Sequence, residues 1–176
     1  APCTANEAGE AITAMIQEGG VAYLRLDKTV AQDNDFVSSF AIGKARRYKE
    51  GSDITLIATG GILDDVNIAA VELEKLGIDA RVLGMHSIKP IDIDEIIDAV
   101  TNTGGIVTIE EHNKDGGLGS AVSEVCMDFG VMPKKFLRIG LENMYSSIVG
   151  SQQYLRSRYR MDSVAIIDRV KEILKT

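Results

Sequence analysis

The side chains and glycines that could do chemistry fall in three short stretches: TGGI at 59–62, HSIKPID at 86–92 and EEHNKDGGLGS at 110–120. His86 and His112 follow strand ends and, with the adjacent pair Glu110 and Glu111, supply acid, base and metal-ligand types. Two imidazoles beside neighbouring carboxylates nevertheless match no recognised metal spacing. Gly116, Gly117 and Gly119, followed by Ser120, open a helix, and glycines there let backbone N–H groups approach a phosphate. With Gly117 and Gly119 as the first two glycines of G-x-G-x-x-G, the third position is Val122, so the dinucleotide fingerprint is not met. Neither a phosphate-binding G-x-x-x-x-G-K-[ST] run nor a G-x-S-x-G nucleophile elbow occurs. Cys3 and Cys126 lie far apart and form no disulfide framework or metal pattern, which reads as two idle thiols. These residues make a polar edge without a complete catalytic set, the glycines serving turns and packing or else an anion.

The elements that must position this edge alternate between strand and helix. DITLIA (53–58) is a buried-type strand, and Leu63, Val66, Ala70, Leu73 and Leu76 then keep helical spacing until Gly77. Residues 80–85 are a second strand, Lys89-Pro90 breaks the chain, and Asp92 with Glu95 caps a helix carrying Ile96, Ile97 and Val100. GIVTIE (105–110) is a third strand, leading to a helix with Ala121, Val122, Val125 and Phe129 that Gly130 ends. Residues 136–139 form a fourth strand, and Asp162 caps a last helix with Ile166, Ile167, Val170, Ile173 and Leu174 inward. Such alternation predicts a three-layer α/β fold, a mainly parallel sheet with helices on both faces, since parallel strands need crossover connections. Ligands and partner segments collect outside the carboxyl ends of such strands, which is where the three stretches fall. Ahead of this unit, residues 6–17 read as a helix capped by Thr4 or Asn6 and ended by Gly19-Gly20. VAYLRL (21–26) reads as a strand, 27–35 as a polar loop, and 36–49 as short extended or irregular chain.

The 176 residues suit one compact domain with an appendage. A composition 45% hydrophobic and 26% charged, with 17 glycines and 3 prolines, excludes disordered and collagen-like classes. With 26 acidic against 19 basic residues the net charge is -7, which argues against a broad nucleic-acid-binding surface. No run approaches the roughly 18 apolar residues of a membrane span, and the N-terminus lacks the pattern of a signal peptide, so a cytoplasmic setting is the default expectation. A start at Ala-Pro without Met suggests a fragment or a processed product.

Taken in order, IGKA (42–45), DITLIATG (53–60), MHSIKPID (85–92), EEH (110–112) and GGLGSAV (116–122) resemble the C-terminal portion of transketolase over nearly the whole chain. The MHSIKPID and EEH…GGLGSAV segments favour transketolase over deoxyxylulose-phosphate synthase and the beta subunits of 2-oxoacid dehydrogenases. The resemblance implies that residues 1–28 are the tail of the pyrimidine-binding domain (its last helix and strand), 29–44 a linker, and 45–176 the C-terminal domain. It implies ketol transfer between sugar phosphates by a homodimeric enzyme using thiamine diphosphate and a divalent metal. The diphosphate- and metal-binding segment and the catalytic glutamate would lie outside this chain. No catalytic residue and no metal ligand is then expected here, and the chain alone should be inactive, because the cofactor carries the reactive chemistry and must be held by the protein.

One site residue carries over from the family. Relatives end the pyrimidine-binding domain in Leu-Ser-Arg or Leu-Gly-Arg, whose Arg meets the substrate phosphate; here Leu26-Asp27-Lys28 stands in that place and Lys28 becomes the phosphate-binding cation. Lysine brings a point charge where arginine brings a planar fork, and Asp27 would oppose an anion. The family's Phe-Gly-x-Ser-Gly region is replaced by NMYSSIVG (143–150). The edge of His86, Glu110, His112, Gly116, Gly117, Gly119 and Ser120 is expected to pack between domains. The rival reading is a free-standing regulatory module holding a small anion at 116–120; a third is the small subunit of a split transketolase or a deoxyxylulose-phosphate synthase-like enzyme. An apolar face of Ile12, Met15, Ile16 and Leu24, cut from its parent sheet, should be buried by self-association or against the C-terminal domain.

Overall fold

The computed structural model describes residues 1–28 and 39–175. Its sheet has five strands, β1 (Arg46–Lys49), β2 (Ile54–Ala58), β3 (Ala80–Gly84), β4 (Ile106–Asn113) and β5 (Phe136–Leu141), in the order β1-β3-β2-β4-β5. The pairs β3–β2, β2–β4 and β4–β5 are parallel; β1 alone runs antiparallel, on the edge of β3. The helices are α1 (Ala5–Glu18), α2 (Leu63–Lys75), α3 (Ile93–Asn102), α4 (Leu118–Asp128), α5 (Gln152–Arg158) and α6 (Ser163–Lys175).

Alternation along the strands builds two cores. Ile54, Leu56 and Ala58 face α2 and α6, together with Val82, Val107 and Ile109. Ile57, Leu83 and Ile106 face α3 and α4. Both faces are covered, as a buried parallel sheet requires. The expected three-layer arrangement is thus the observed one. Helix starts follow the sequence signals: Thr4 Oγ1 accepts from Glu7 N–H at 3.2 Å, Asp92 from Glu95 N–H at 3.3 Å, and Asp162 from Ala165 N–H at 3.0 Å. Both cysteines are buried and unpaired. No helix among the described residues is long and apolar enough to cross a membrane.

Three local expectations change. Residues 21–26 form no strand: they have no ladder partner, and Val21, Tyr23 and Leu26 are exposed. A strand's backbone is satisfied by its neighbours, so a β-rich segment with none offered stays unpaired. Within the stretch read as short extended or irregular chain, RRYK (46–49) takes the extended alternative and becomes β1 because β3 presents a free edge. The seven-residue α5, not anticipated, is capped by Ser151, whose Oγ accepts from Tyr154 N–H at 3.2 Å. Most of the expected 29–44 linker, and with it part of the 27–35 loop and the 36–49 stretch, lies outside the described residues.

Candidate functional site

The parallel register of β2, β3 and β4 brings 59–62, 86–92 and 110–119 to one edge of the sheet, as the strand order demands. β4 runs three residues past the expected Glu110, so the EEH triplet is still strand and its side chains alternate. Glu110 and His112 face the start of α4; Glu111 faces the opposite layer.

Glu110 is wholly buried. Its carboxylate accepts Leu118 N–H at 2.6 Å and Gly119 N–H at 3.0 Å, and His112 Nε2 lies 2.8 Å from it. The orphan donors and positive end of α4 are thereby matched by an internal anion. Gly117 is glycine because a Cβ there would collide with the Glu110 carboxylate and His112; a Cβ on Gly119 would sit 2.7 Å from Thr108 Oγ1. Gly116 turns the chain at φ 77° and its N–H goes to Ser120 Oγ at 3.0 Å. An external anion at 116–120 would have to displace Glu110, so the geometry runs against the regulatory-module reading.

On the other layer Glu111 accepts from Arg156 Nη2 at 2.7 Å and Gln152 Nε2 at 2.8 Å. Arg156 also reaches Asp65 at 3.0 Å, and Asp65 accepts the Ser163 N–H at 3.1 Å at the start of α6. Arg156 and Asp65 are both buried. Sequence reasoning passed over this network because its members are 91 positions apart and share no local pattern.

The N-terminal segment lies over the same edge. Glu7 of α1 is buried, accepts Cys3 N–H at 2.7 Å and Tyr48 Oη–H at 2.8 Å, and stands 3.8 Å from Arg46. Burial raises its carboxyl above the usual range. Docked this way, α1 and residues 21–25 close a cavity of about 690 Å³ that His86, Thr59, Phe40, Ile42, Met15 and His112 help to line. His86 is 4% exposed and stacks on Phe40 at 4.2 Å; burial, then Arg46, lowers its pKa to about 4, so the ring is neutral. The two histidines share this cavity but make different contacts, His86 Nδ1 with Ser87 Oγ at 3.0 Å and His112 with Glu110. Of the expected apolar face, Met15 and Leu24 are partly covered, whereas Ile12 and Ile16 remain exposed.

Lys28 is exposed, and its neighbour Asp27 accepts Gln152 Nε2 at 3.1 Å, the same amide that Glu111 accepts from. No group of three or more His, Cys, Asp or Glu side chains among the described residues is arranged to hold a metal ion. The cavity lining mixes apolar side chains with the scattered polar groups Glu18, Arg25, Lys89 and the two imidazoles, and brings no set of carboxylates together, so it does not fit a metal-bridged diphosphate.

A family model described as transketolase, C-terminal domain, matches residues 43–166. A protein from Phocaeicola vulgatus, named as one of the subunits of an apulose-4-phosphate transketolase, is 33% identical over 99% of this chain and 55% of its own length. A 6-deoxy-6-sulfo-D-fructose transketolase subunit from a Clostridium species is 31% identical over 98% of this chain and 53% of its own. A solved structure titled split gene transketolase, inactive beta4 tetramer, superposes with a TM-score of 0.72 at 31% identity, covering 84% of this chain and 47% of that one. The chain spans about half the length of each of these relatives.

Proposed function

This chain belongs to the transketolase family, whose C-terminal domain it carries, and on that premise we propose that it is the C-terminal part of an enzyme transferring a two-carbon ketol unit between sugar phosphates. Residues 1–28 are the tail of the pyrimidine-binding domain, 29–44 the linker and 45–176 the C-terminal domain. Thiamine diphosphate and a divalent metal are held by the diphosphate- and pyrimidine-binding domains, which partner this chain in the same polypeptide or as a separate subunit. The complete cytoplasmic enzyme is a homodimer; a relative solved as a four-copy assembly supports self-association of this half.

The observation that carries this reading is the engagement of both carboxylates of the EEH triplet. Glu110 holds the start of α4 and Glu111 holds Arg156, so both carboxylates of the strand-end edge are spent on building a rigid surface. His86, Glu110, His112, Gly116, Gly117, Gly119 and Ser120 therefore serve interdomain packing. Lys28 contributes a cation to the substrate phosphate, with Asp27 drawn toward Gln152 rather than toward the anion.

Mixing the purified chain with its complementary diphosphate- and pyrimidine-binding part tests the proposal. Ketol transfer from xylulose 5-phosphate to ribose 5-phosphate is expected from the mixture and not from either part, with Lys28→Ala raising KM roughly tenfold, a phosphate contact of about 1.4 kcal/mol. Turnover by this chain alone would overturn the division of labour; an unchanged KM would remove Lys28 from the site.

A further inference from the structure

Against a net charge of -7, one pocket of the described structure is strongly cationic. It has a volume of about 240 Å³, lies between the end of β5 and the turn joining α5 to α6, and is lined by Arg138, Arg158, Arg160 and Arg169. Its lining carboxylate, Glu142, pairs with Lys114 at 2.6 Å and feels Arg169 only at longer range. Glu172 comes no closer to Arg169 than 3.9 Å, whereas the Arg138 side chain runs over Gly119 toward α4 and bonds Lys114 C=O and Ser120 Oγ, both at 3.3 Å, leaving the pocket's cations to Arg158, Arg160 and Arg169. Neither Arg158 nor Arg160 has a carboxylate partner among the described residues.

Folding explains some of these cations and not others. Arg158 stands in the last turn of α5, where a cation complements the helix dipole. Arg160 has no such reason to be there. Met161 N–H bonds to Arg156 C=O at 2.8 Å and Arg160 N–H to Ser157 C=O at 3.1 Å, the paired bonds of a helix end whose left-handed residue is ordinarily glycine. Arg160 adopts that conformation at φ 57°, the one non-glycine residue with positive φ among the described residues. The position that backbone physics would give to glycine holds a guanidinium lining the pocket, beside Arg169 from the body of α6. Tyr159 Oη–H bonds to Ser146 Oγ at 2.5 Å and fastens the 142–150 loop to this turn.

We propose that this pocket binds the phosphate group of a small phosphorylated metabolite through Arg158, Arg160 and Arg169. Planar guanidinium forks suit phosphate oxygens, and the volume admits a phosphate head with a few attached atoms rather than a peptide strand. The proposal stands independently of Lys28, which does not line the pocket.

Amide chemical-shift mapping of the full chain, titrated with glycerol phosphate, tests it, with glycerol and sodium chloride at matched ionic strength as references. Saturable shifts confined to 138–144, 158–160 and 169 are expected with glycerol phosphate alone. Arg160→Gly should weaken binding about tenfold while leaving the thermal midpoint unchanged or higher, because glycine relieves the left-handed backbone. Arg169→Gln should weaken it similarly, and Lys75→Gln, on exposed α2 surface, should not. Shifts matched by sodium chloride or spread over the surface, full affinity in Arg160→Gly, or tighter binding of an oligo-aspartate peptide than of glycerol phosphate would each overturn the assignment.

Discussion

His86 was legible in the sequence as a strand-end histidine, but its state depends on residues far away in the chain: Phe40 stacked on the ring and Arg46 nearby. Burial is the larger cause of its low pKa, about 4 against an ordinary 6.5. The unfolded chain therefore takes up a proton first as pH falls. Stability is full above about pH 6.5 and declines toward pH 4, by up to about 3 kcal/mol if the whole shift is realised. Glu7, whose carboxyl is raised by burial, acts with the opposite sign, so the informative quantity is the difference from a His86→Gln variant. Urea unfolding of both proteins at pH 7 and pH 5 should show wild type losing about 2 kcal/mol more than the variant; parallel losses would mean that the imidazole protonates in place. The same limit on legibility applies to Glu110. The sequence placed it at the edge beside a glycine-led helix, which invited an external anion; only the three-dimensional return of β4 toward α4 puts the protein's own carboxylate on Leu118 and Gly119.

The elements easiest to foresee were those with their own strong period, and those missed were made by neighbours. β2, β3 and the first half of β4 are short, mainly apolar runs, and α2, α3, α4 and α6 present apolar residues at helical spacing, so each announces its burial. The polar β1 exists through pairing with β3, and residues 21–26 lack a strand for want of a partner. The short α5 has no apolar stripe to read. It is fastened by Arg156, which joins it to β4 through Glu111 and to α2 through Asp65, the residue that also meets the start of α6. Arg156→Ala should thus destabilise the fold by about 3–5 kcal/mol, since it strands two carboxylates where water reaches them poorly. Adding Asp65→Asn and Glu111→Gln to that variant should recover a good part of the loss, because amides cost less to bury than unpaired charges. Denaturant midpoints measure both; a loss below about 1 kcal/mol in the single variant would show that solvent already screens the network.

At the scale of the whole molecule, the sheet and its four covering helices form a closed unit, while the N-terminal segment is anchored at one end and open at the other. Glu7, Cys3 and Ala11 fix α1 to the domain, yet Ile12, Ile16, Val21, Tyr23 and Leu26 face solvent in close succession along the chain. Scattered apolar side chains on a surface are ordinary, but a run of them on unpaired, strand-prone backbone is a surface built for a neighbour. If the complementary part of the enzyme is that neighbour, substitutions there separate assembly from folding. Val21→Asp with Leu26→Asp removes little packing within the chain, since Val21 is fully and Leu26 more than half exposed, and should leave the stability of the chain within about 0.5 kcal/mol of wild type. The same pair should abolish ketol transfer in the mixture with the complementary part, because two carboxylates would have to be desolvated on docking. Denaturant unfolding of the chain alone and activity of the mixture read the two effects separately. A folded variant that still supports full activity would place the working interface elsewhere on the domain, and one that unfolds would mean that residues 21–26 already pack within this chain.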